Sequence, residues 1–390
     1  MRIAYLCLDP GVPVFGHKGC SVHVQEVVRA LGALGAEVEL FATRVDGAPP
    51  RGLERLRVHR LPAPDGGGAR RERAALGANR ALRTALRRSG AFDLVYERYS
   101  LWGHAGMEHA AARAVPGVLE VNAPLIREQA ATRGLVHRRL AERVAERAFG
   151  AASALLAVSD EVAAYLRGHP ATRGRVHVLP NGVDVARFVP GASASPETLT
   201  VAFAGSFKPW HGVHELARAF AAAHRACPRL RLLLIGAGPE REAVLRELAA
   251  HGALAATHAP GAVSPEQVPA LLAGAQIGVA PYPDRPELYF SPLKLFEYMA
   301  AGLAVVASAT GPVQRVVRDE ENGLLCAPGD ERALAAALLR LAAAAALRQR
   351  LGAAARASAV LRHSWAGVAR RILAIARAGA TPRALPAEVG

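Results

Sequence analysis

Residues 200–238 read TVAFAGSFKPWHGVHELARAFAAAHRACPRLRLLLIGAG, and this stretch decides the fold. It starts with an apolar strand, Thr200–Gly205, passes through a loop into a helix over Gly212–Ala226, and ends in a second strand, Leu230–Ile235. Short apolar strands that alternate with helices are typical of a parallel sheet with helices on both faces. The stretch therefore predicts an α/β architecture.

The same alternation continues in both directions along the chain. After residue 238, strands at Ile277–Ala280 and Val305–Ala307 flank a helix over Pro292–Ala301. Before residue 200, a helix over Ser21–Leu34 lies among strands at Ile3–Leu8, Val38–Ala42, Asp93–Tyr96, Gly117–Val121 and Ala154–Val158. We predict two consecutive doubly wound, Rossmann-like domains facing a cleft. In such sheets, ligands bind outside the carboxyl ends of the strands.

Turn and linker signals set the domain limits. Asn181–Asp184 indicates a turn, and Pro190–Pro196 is a stretch of small residues with Ser and Pro, as in linkers. The predicted division is an N-terminal domain over residues 1–185, a linker over 186–199, a C-terminal domain over 200–360, and a C-terminal helix and tail over 361–390.

Composition excludes several classes of protein. With 51% hydrophobic and 21% charged residues, the chain is of the globular type. No uncharged apolar stretch reaches the length of about 18 residues that a spanning helix needs. The four cysteines (Cys7, Cys20, Cys227, Cys326) are scattered without metal-site or disulfide spacing. We therefore predict a cytoplasmic protein with no bound metal or cofactor.

The formal net charge of +15 has two explanations. An acidic partner is one: nucleic acid, an anionic membrane face or a phosphate-bearing substrate. The other is codon bias, because Lys18, Lys208 and Lys294 are the only lysines among 48 basic residues and the chain is also rich in alanine. All three lysines fall in loop or helix-start motifs, where a compact ammonium is useful.

The most informative motif is Ser291-Pro292-Leu293-Lys294-Leu295-Phe296-Glu297-Tyr298-Met299-Ala300-Ala301-Gly302. Serine is a favoured N-cap and proline suits the first helical position, so a helix N-terminus with free N–H groups follows Tyr289-Phe290. Such an N-terminus suits a diphosphate. Lys294 can share that phosphate, and Glu297 can accept hydrogen bonds from a ribose. The alternative is a surface Lys–Glu pair on an ordinary helix.

Two glycine-containing loops follow predicted strands. In Gly205–Gly212, the glycines let backbone approach a phosphate, and Lys208 and His211 offer positive charge or donors. The alternative is a Gly/Pro loop with Trp210 packed on the interdomain face. Phe15–Ser21 precedes the first helix, and its Gly16, Lys18 and Gly19 are candidate cleft residues. Neither this loop nor Gly236–Pro239 matches the dinucleotide-binding fingerprint.

In order and spacing, these segments resemble glycosyltransferase family 4, the retaining group with the GT-B fold. The resemblance covers residues 1–360. It rests on Leu179–Asp184, Gly205–Phe207, Leu234–Pro239, Ser291–Gly302 and Gly323–Asp330. The run Ser-Pro-Leu-Lys-Leu-Phe-Glu-Tyr-Met-Ala is similar to one subgroup's donor motif. The resemblance implies a nucleotide-sugar donor bound mainly by the C-terminal half, and C-terminal helices that return to the N-terminal domain.

The resemblance also assigns roles. Glu297 is similar to the second glutamate of the family's E-x7-E motif, which holds the donor ribose, while Tyr289 stands where the first would be. The family's phosphate-binding Arg and Lys fall near Ser206 and His211, so we expect Lys208 and Lys294 to supply the charge. The expected catalytic residues are Lys208, Lys294 and Glu297. The expected donor-binding residues are Gly205, Ser206, His211, Gly236, Gly238, Tyr289, Phe290, Ser291, Pro292, Leu293 and Glu297.

Acceptor recognition is expected in the N-terminal domain. Asn122 follows a strand near where related enzymes carry a cleft-lining histidine. The segment Arg127–Arg147, rich in arginine, can lie on an anionic membrane that bears a lipid-linked acceptor. It also contains Glu128, Glu142 and Glu146, so a solvated face of mixed charge is the alternative.

The predicted function is metal-independent, retaining hexosyl transfer from a UDP-, GDP- or dTDP-sugar to a glycan, lipid-linked or small-molecule acceptor. Contact with the inner membrane face stays open. One alternative is a non-hydrolysing sugar-nucleotide epimerase. The other is an inactive basic GT-B protein that binds an anionic membrane or nucleic acid. With 5% aromatic residues and no alternation of basic and aromatic residues, nucleic acid is not the expected partner.

Overall fold

The computed structural model describes residues 1–132, 134–191, 197–284, 289 and 291–379. The predicted positions Arg133 and Phe290, the linker residues 192–196 and the tail residues 380–390 lie outside this range. The contacts divide the chain into two compact units. Unit 1 comprises Met1–Pro180, Tyr289–Ser291 and Trp365–Gly390, and unit 2 comprises Asn181–Leu288 and Pro292–Ser364.

The described residues of unit 1 form a seven-stranded parallel sheet in the order β3-β2-β1-β4-β5-β6-β7. Its strands are β1 Arg2–Cys7, β2 Glu37–Ala42, β3 Arg57–Arg60, β4 Leu94–Arg98, β5 Gly117–Val121, β6 Ala154–Ala157 and β7 Val176–Val178. Its first helices are α1 Gly19–Ala33, α2 Gly68–Ser89, α3 Ala105–Ala112, α4 Leu125–Thr132, α5 Arg138–Ala151 and α6 Asp160–Arg167.

The described residues of unit 2 form a six-stranded parallel sheet in the order β10-β9-β8-β11-β12-β13. Its strands are β8 Leu199–Ala204, β9 Leu230–Ile235, β10 Thr257–Gly261, β11 Ile277–Ala280, β12 Ala304–Ser308 and β13 Leu324–Cys326. Its helices are α7 Val213–Ala226, α8 Arg241–Ala250, α9 Val268–Ala273, α10 Leu293–Ala300, α11 Gly311–Gln314, α12 Glu331–Ala343 and α13 Ala345–Arg362.

The central strands are buried on both faces, as continuous apolar sequences require. Residues 3–7 of β1 and residues 201–204 of β8 are all buried, because helices cover both sides of each sheet. Each sheet has its own apolar core, formed with the helices of the same unit. The predicted fold class, two doubly wound parallel α/β domains, is confirmed.

The C-terminal helix α14, Trp365–Gly379, belongs to unit 1, as the resemblance implied. It packs on α1, where the Trp365 and His23 rings meet edge to face with centroids 5.3 Å apart. Unit 1 is therefore completed by residues that follow unit 2 in the chain.

Sequence reasoning did not identify β3 and β10, each at one edge of its sheet, or β13 at the opposite edge of the unit 2 sheet. Strand β3 has one apolar residue, Val58, and β10 contains Pro260 and ends at Gly261. Both strands lie at a sheet edge, where one side has no neighbouring strand and less apolar surface is buried. An alternating or continuous apolar pattern is therefore absent from them.

Helix α10 begins one residue later than predicted. Pro292 occupies the N-cap position with φ −80° and ψ 76°, and Leu293 is the first helical residue. Ser291 is therefore not the N-cap. The shift places Lys294 second in the helix rather than third.

Candidate functional site

The strand order of unit 2 identifies where a ligand can bind. From β8 the chain winds outward through β9 and β10, and it then returns to β11 on the other side of β8. In parallel α/β sheets, the crevice at such a reversal, outside the carboxyl ends of the strands, is the usual ligand site. Here it lies between the loop after β8, residues 205–212, and the residues after β11, Pro281 and Tyr282.

Backbone hydrogen bonds hold the loop after β8 against the end of β9. Gly205 N–H donates to the carbonyl of Ile235 at 2.9 Å, and Phe207 N–H donates to the carbonyl of Ala237 at 3.0 Å. Phe207 is fully buried and anchors the loop. A short 3-10 helix, Pro209–His211, follows and leads into α7.

The predicted donor glycines are required by the packing of these loops. A Cβ at Gly236 (φ +131°) would lie 1.9 Å from the carbonyl oxygen of Gly205, and one at Gly238 would lie 2.6 Å from the Phe207 nitrogen. Backbone thus packs directly on backbone. Gly236 and Gly238 thus admit the neighbouring loop.

Lys294 lies at the centre of the crevice. Lys294 is 8% exposed. Its Nζ lies 4.4 Å from the centroid of the Phe203 ring and 5.2 Å from the centroid of the Tyr282 ring. A Cβ on Gly205 would lie 3.1 Å from Nζ, so the side chain lies against the end of β8. The alternative interpretation, a surface Lys–Glu pair, is wrong because Lys294 is buried.

The Lys294 ammonium has no hydrogen-bond partner among the described residues. Buried polar groups in folded proteins almost always have one, and an unpaired buried charge is costly. Burial lowers the pKa of Lys294 to about 7, against the opposing effect of the Glu297 carboxylate one turn later. The crevice therefore contains a cation donor that a ligand anion would satisfy.

His211 belongs to the same crevice but is not a cation there. Its Nδ1 hydrogen-bonds the carbonyl of Ser206, so Nδ1 carries the proton and Nε2 is left as an acceptor. Burial, with Lys294 and Lys208 nearby, lowers the pKa of His211 to about 4. His211 is therefore neutral and does not offer the positive charge that was predicted. The Nδ1 donor of His211 is already used within the loop.

Lys208 is partly buried at the start of the 3-10 helix. Its Nζ lies 5.7 Å from the centroid of the Trp210 ring, and Trp210 is 42% exposed. Lys208 is close enough to lower the pKa of His211. The structure thus brings Lys208, His211 and Lys294 together around Gly205 and Ser206, with half-buried Glu297 beside Lys294.

Helix α10 is fixed by contacts that the sequence analysis did not identify. Ala204 is the last residue of β8, and its N–H donates a hydrogen bond to the Tyr298 hydroxyl at 2.7 Å. A Cβ on Gly278 would lie 2.6 Å from the Tyr298 ring, so β11 needs a glycine there. On the same helix, Phe296 stacks on His363 with centroids 4.6 Å apart. These contacts position the first turn of α10, and with it Lys294.

Two predicted donor residues group with unit 1 instead. Tyr289 and Ser291 are assigned there. The Tyr289 hydroxyl donates to Glu128 Oε2 of α4 at 2.8 Å, and its carbonyl accepts from Ser159 Oγ at 2.7 Å. Tyr289 therefore makes its described hydrogen bonds with α4 and with the residue that precedes α6.

Unit 1 has a buried charged network near its own reversal point, between β1 and β4. Glu120 of β5 accepts from His23 Nε2 at 2.7 Å, from the Tyr96 hydroxyl and from the predicted acceptor residue Asn122. Arg98 Nη1 lies 3.3 Å from the same carboxylate. Burial alone would raise the pKa of Glu120, but His23 and Arg98 outweigh it and lower that pKa to about 2.

Sequence reasoning identified Asn122 but missed Glu120, His23 and Arg98. The available signal was a charged side chain inside or directly after an apolar strand, as at Glu120 and Arg98. The other predicted cleft residues lie just before α1 or at its start, because α1 begins at Gly19 rather than at Ser21. Gly16 packs on Pro13, exposed Lys18 occupies the N-cap position of α1, and Gly19 is its first residue.

The segment Arg127–Arg147 forms parts of two helices, α4 and α5, rather than one. Arg138 pairs with Glu142 at 3.0 Å, Arg147 pairs with Glu108 at 2.6 Å, and Arg127 lies over the Tyr165 ring at 5.1 Å. These internal pairs agree with the mixed-charge interpretation. Within the described ranges, no helix has the length and apolar character needed to cross a bilayer.

Comparison with known proteins places the chain among sugar-transferring enzymes. Residues 17–187 match the family model "Glycosyltransferase Family 4", and residues 198–344 match "Glycosyl transferases group 1". The chain is 30% identical over 361 residues to the D-inositol 3-phosphate glycosyltransferase of Jonesia denitrificans, a match that covers 83% of this chain and 84% of that protein.

Solved structures show the same fold. Sucrose-phosphate synthase from Thermosynechococcus elongatus superposes with a TM-score of 0.77 at 23% identity, over 97% of this chain and 98% of that one. HepE of Anabaena, solved in complex with UDP-glucose, gives a TM-score of 0.71 at 19% identity, over 97% of this chain and all of that one (100%). These likenesses confirm the predicted GT-B fold.

Proposed function

Because the chain belongs to glycosyltransferase family 4, we propose that it transfers a hexosyl group from a nucleotide sugar to an acceptor hydroxyl, with retained anomeric configuration. The observation that carries the proposal is the Lys294 ammonium at the reversal point of the unit 2 sheet, which has no hydrogen-bond partner among the residues that the structure describes. A diphosphate is the ligand that best fits a buried cation next to a helix N-terminus.

The donor diphosphate would lie against Lys294, the first turn of α10 and Gly205. Lys294 supplies the buried positive charge, and partly exposed Lys208 can turn toward the same anion. His211, neutral in the unliganded chain, contributes no charge of its own. Half-buried Glu297, three residues after Lys294, would accept hydrogen bonds from the ribose hydroxyls. The solved complex of HepE with UDP-glucose makes uridine the first base to test.

The proposed chemistry needs positioning and charge stabilisation more than a nucleophile. The bond between the sugar C1 and the diphosphate oxygen breaks, a bond from C1 to the acceptor oxygen forms on the same face, and the acceptor proton passes to the leaving diphosphate. Negative charge develops on that leaving group. Lys294 in a dry crevice would stabilise this charge more strongly than an exposed lysine could. We propose that these cationic groups take the place of a metal ion.

A thermal-shift panel of nucleoside diphosphates and nucleotide sugars tests the donor site. A ligand at a hundred times its dissociation constant stabilises the fold by about 2.7 kcal/mol, which raises Tm by several degrees. We expect one nucleotide to do this for the native chain. Lys294→Met should abolish the response, and Glu297→Ala should reduce affinity by about tenfold or more.

Lys294→Met should fold, because it replaces a buried ammonium, which has no partner in the described part of the chain, with an apolar side chain of similar length. Its Tm without nucleotide should be equal to or above that of the native chain. Arg246→Met, which removes one exposed charge from unit 2, is the matched control and should keep the full response. An unchanged nucleotide response in Lys294→Met would refute the assigned site. Inverted configuration at C1 of the product, read from its proton NMR coupling, would refute retention.

A further inference from the structure

Helix α2 of unit 1 carries an unusually one-sided charge. Its 22 residues include seven arginines and one glutamate. That glutamate, Glu72, is buried and accepts from the N–H groups of Val136 and His137 at 2.8 and 2.9 Å. Arg83 pairs with Glu108 at 2.8 Å. The remaining arginines have no ion pair or side-chain hydrogen bond among the described residues: Arg70, Arg71, Arg73, Arg80, Arg87 and Arg88.

A groove lies between α2 and the edge strand β3. It encloses a cavity of about 760 Å³. Its walls carry Arg57, His59 and Arg60 from β3 and Arg80, Thr84 and Arg88 from α2. Among the described residues, no acidic side chain lines this β3–α2 groove. The nearest buried carboxylate, Glu39 of β2, is already bonded to Arg2 and His59, with Arg57 at 3.7 Å.

Codon bias accounts for the number of arginines but not for this arrangement. Some exposed arginines elsewhere are paired, such as Arg138 with Glu142 and Arg340 with Glu320, and others, such as Arg225 and Arg246, have no partner among the described residues. The distinctive feature of α2 and β3 is therefore the clustering of arginines without carboxylates beside them. A bias toward arginine codons would not remove carboxylates from one helix face and one groove. Arg60 on one wall, and Arg80 and Arg88 on the other, have no ion-pair or hydrogen-bond partner among the described residues. Such guanidinium groups form a surface for phosphate groups, because guanidinium matches phosphate in two parallel hydrogen bonds.

We propose that the β3–α2 groove and the outward face of α2 bind the surface of a lipid bilayer rich in anionic phospholipid. The basic face runs along the whole helix, about 33 Å for 22 residues, which is longer than a small phosphate ligand needs. No large apolar side chain of α2 or β3 is exposed, so attachment is electrostatic and involves no insertion. No tryptophan, tyrosine or phenylalanine lines the groove to stack on the bases of a nucleic acid.

Flotation of the full chain with vesicles tests the proposal, independently of any nucleotide binding in unit 2. The native chain should float with phosphatidylcholine vesicles that contain phosphatidylglycerol and should not float with phosphatidylcholine alone. Raising NaCl from about 0.1 M to about 1 M shortens the screening length from about 10 Å to about 3 Å, so binding should be lost.

The triple variant Arg60→Gln, Arg80→Gln, Arg88→Gln should weaken partitioning by about fivefold per arginine, or about a hundredfold together. The matched control is Arg225→Gln, Arg246→Gln, Arg332→Gln, which removes the same charge from exposed positions of unit 2. The control should bind as the native chain does. Both triple variants should keep the native Tm, since none of these side chains has a partner among the described residues.

Four results would overturn the proposal. The first is no flotation of the native chain with anionic vesicles at low salt. The second is equal loss in both triple variants, which would mean that net charge alone drives binding. The third is absent vesicle binding together with tight binding of single-stranded RNA that the groove variant loses, which would make nucleic acid the partner. Inorganic phosphate that displaces the chain at millimolar concentration would likewise reassign the groove to a small anion.

Discussion

At the scale of single residues, this protein depends on an ammonium that is buried before any ligand arrives. Lys294 is 8% exposed, between the rings of Phe203 and Tyr282, without a hydrogen-bond partner in the described part of the chain. Such a group destabilises the empty fold and gains most when an anion enters. The same residue thus favours ligand binding over stability of the unliganded state.

The protonation state of Lys294 leads to a prediction about pH. Its pKa of about 7 lies below the ordinary value, so the ammonium is present below pH 7 and is lost as pH rises through 7. If only the ammonium binds the diphosphate, the competent fraction falls from about one half at pH 7 to about one hundredth at pH 9, and the apparent Kd rises about fiftyfold. Calorimetric titration with the stabilising nucleotide at both pH values measures this.

The groups that face Lys294 do not reverse this expectation. The pKa of His211 is lowered to about 4 by burial, so His211 stays neutral across the window. Burial raises the pKa of Tyr282 above its ordinary value, which keeps its hydroxyl protonated. Lys294→Arg, whose charge persists at pH 9, should remove most of the pH dependence. An affinity of the native chain that is constant from pH 7 to 9 would show that Lys294 does not hold the diphosphate.

At the scale of secondary-structure elements, the site is held by loops whose backbones touch. Gly212 has φ +63°, and a Cβ there would lie 1.4 Å from the carbonyl oxygen of Pro281. It therefore joins the loop after β8 to the chain after β11 at the reversal point. Any side chain would strain the backbone and separate the two walls of the crevice.

Gly212→Ala should destabilise the protein by roughly 2–5 kcal/mol, from the left-handed backbone and the steric overlap together. Its Tm should fall by several degrees, and nucleotide affinity should fall as well because the crevice widens. Gly77→Ala is the control: Gly77 lies inside α2 with nothing within 4 Å of its Cβ position, so alanine should stabilise the helix by about 1 kcal/mol. Equal melting points for the two variants would contradict this account of the loop.

At the scale of the whole molecule, unit 1 is built from three separate pieces of the chain. The last piece, α14, covers α1 through Trp365, which is 6% exposed and lies against His23. Because His23 also bonds Glu120, the C-terminal helix supports the charged network of unit 1. Unit 1 is therefore complete only after the whole chain has been made.

Trp365→Ala should cost about 3–5 kcal/mol, the usual range for removing a buried tryptophan. Hydrogen exchange should become faster in α1 and β1 of unit 1, while α7 and β8 of unit 2 keep their native protection. Trp210→Ala, at a residue that is 42% exposed, should change stability by less than about 1 kcal/mol. Faster exchange of equal size in both units would show that they unfold as one.

The sequence by itself determined the fold, and it predicted a donor site in the C-terminal half. Apolar strands such as Ile277–Ala280 and the helix Gly212–Ala226 are specified by local periodicity, which tertiary contacts reinforce. The glycine loops were predicted for the same reason, because turn chemistry is local, whereas the start of α10 was predicted one residue too early. The edge strands β3 and β10 were missed because little of their surface is buried.

Only the tertiary structure decided the electrostatics. Residues distant in sequence decide whether Lys294 is a surface ion pair or a buried cation. They also decide whether His211 carries charge and which partner the Tyr289 hydroxyl takes. The Glu120 network likewise joins elements far apart in the chain, and the β3–α2 groove depends on how two consecutive elements pack. Burial and pairing follow from which surfaces meet and exclude water, and no local pattern encodes that.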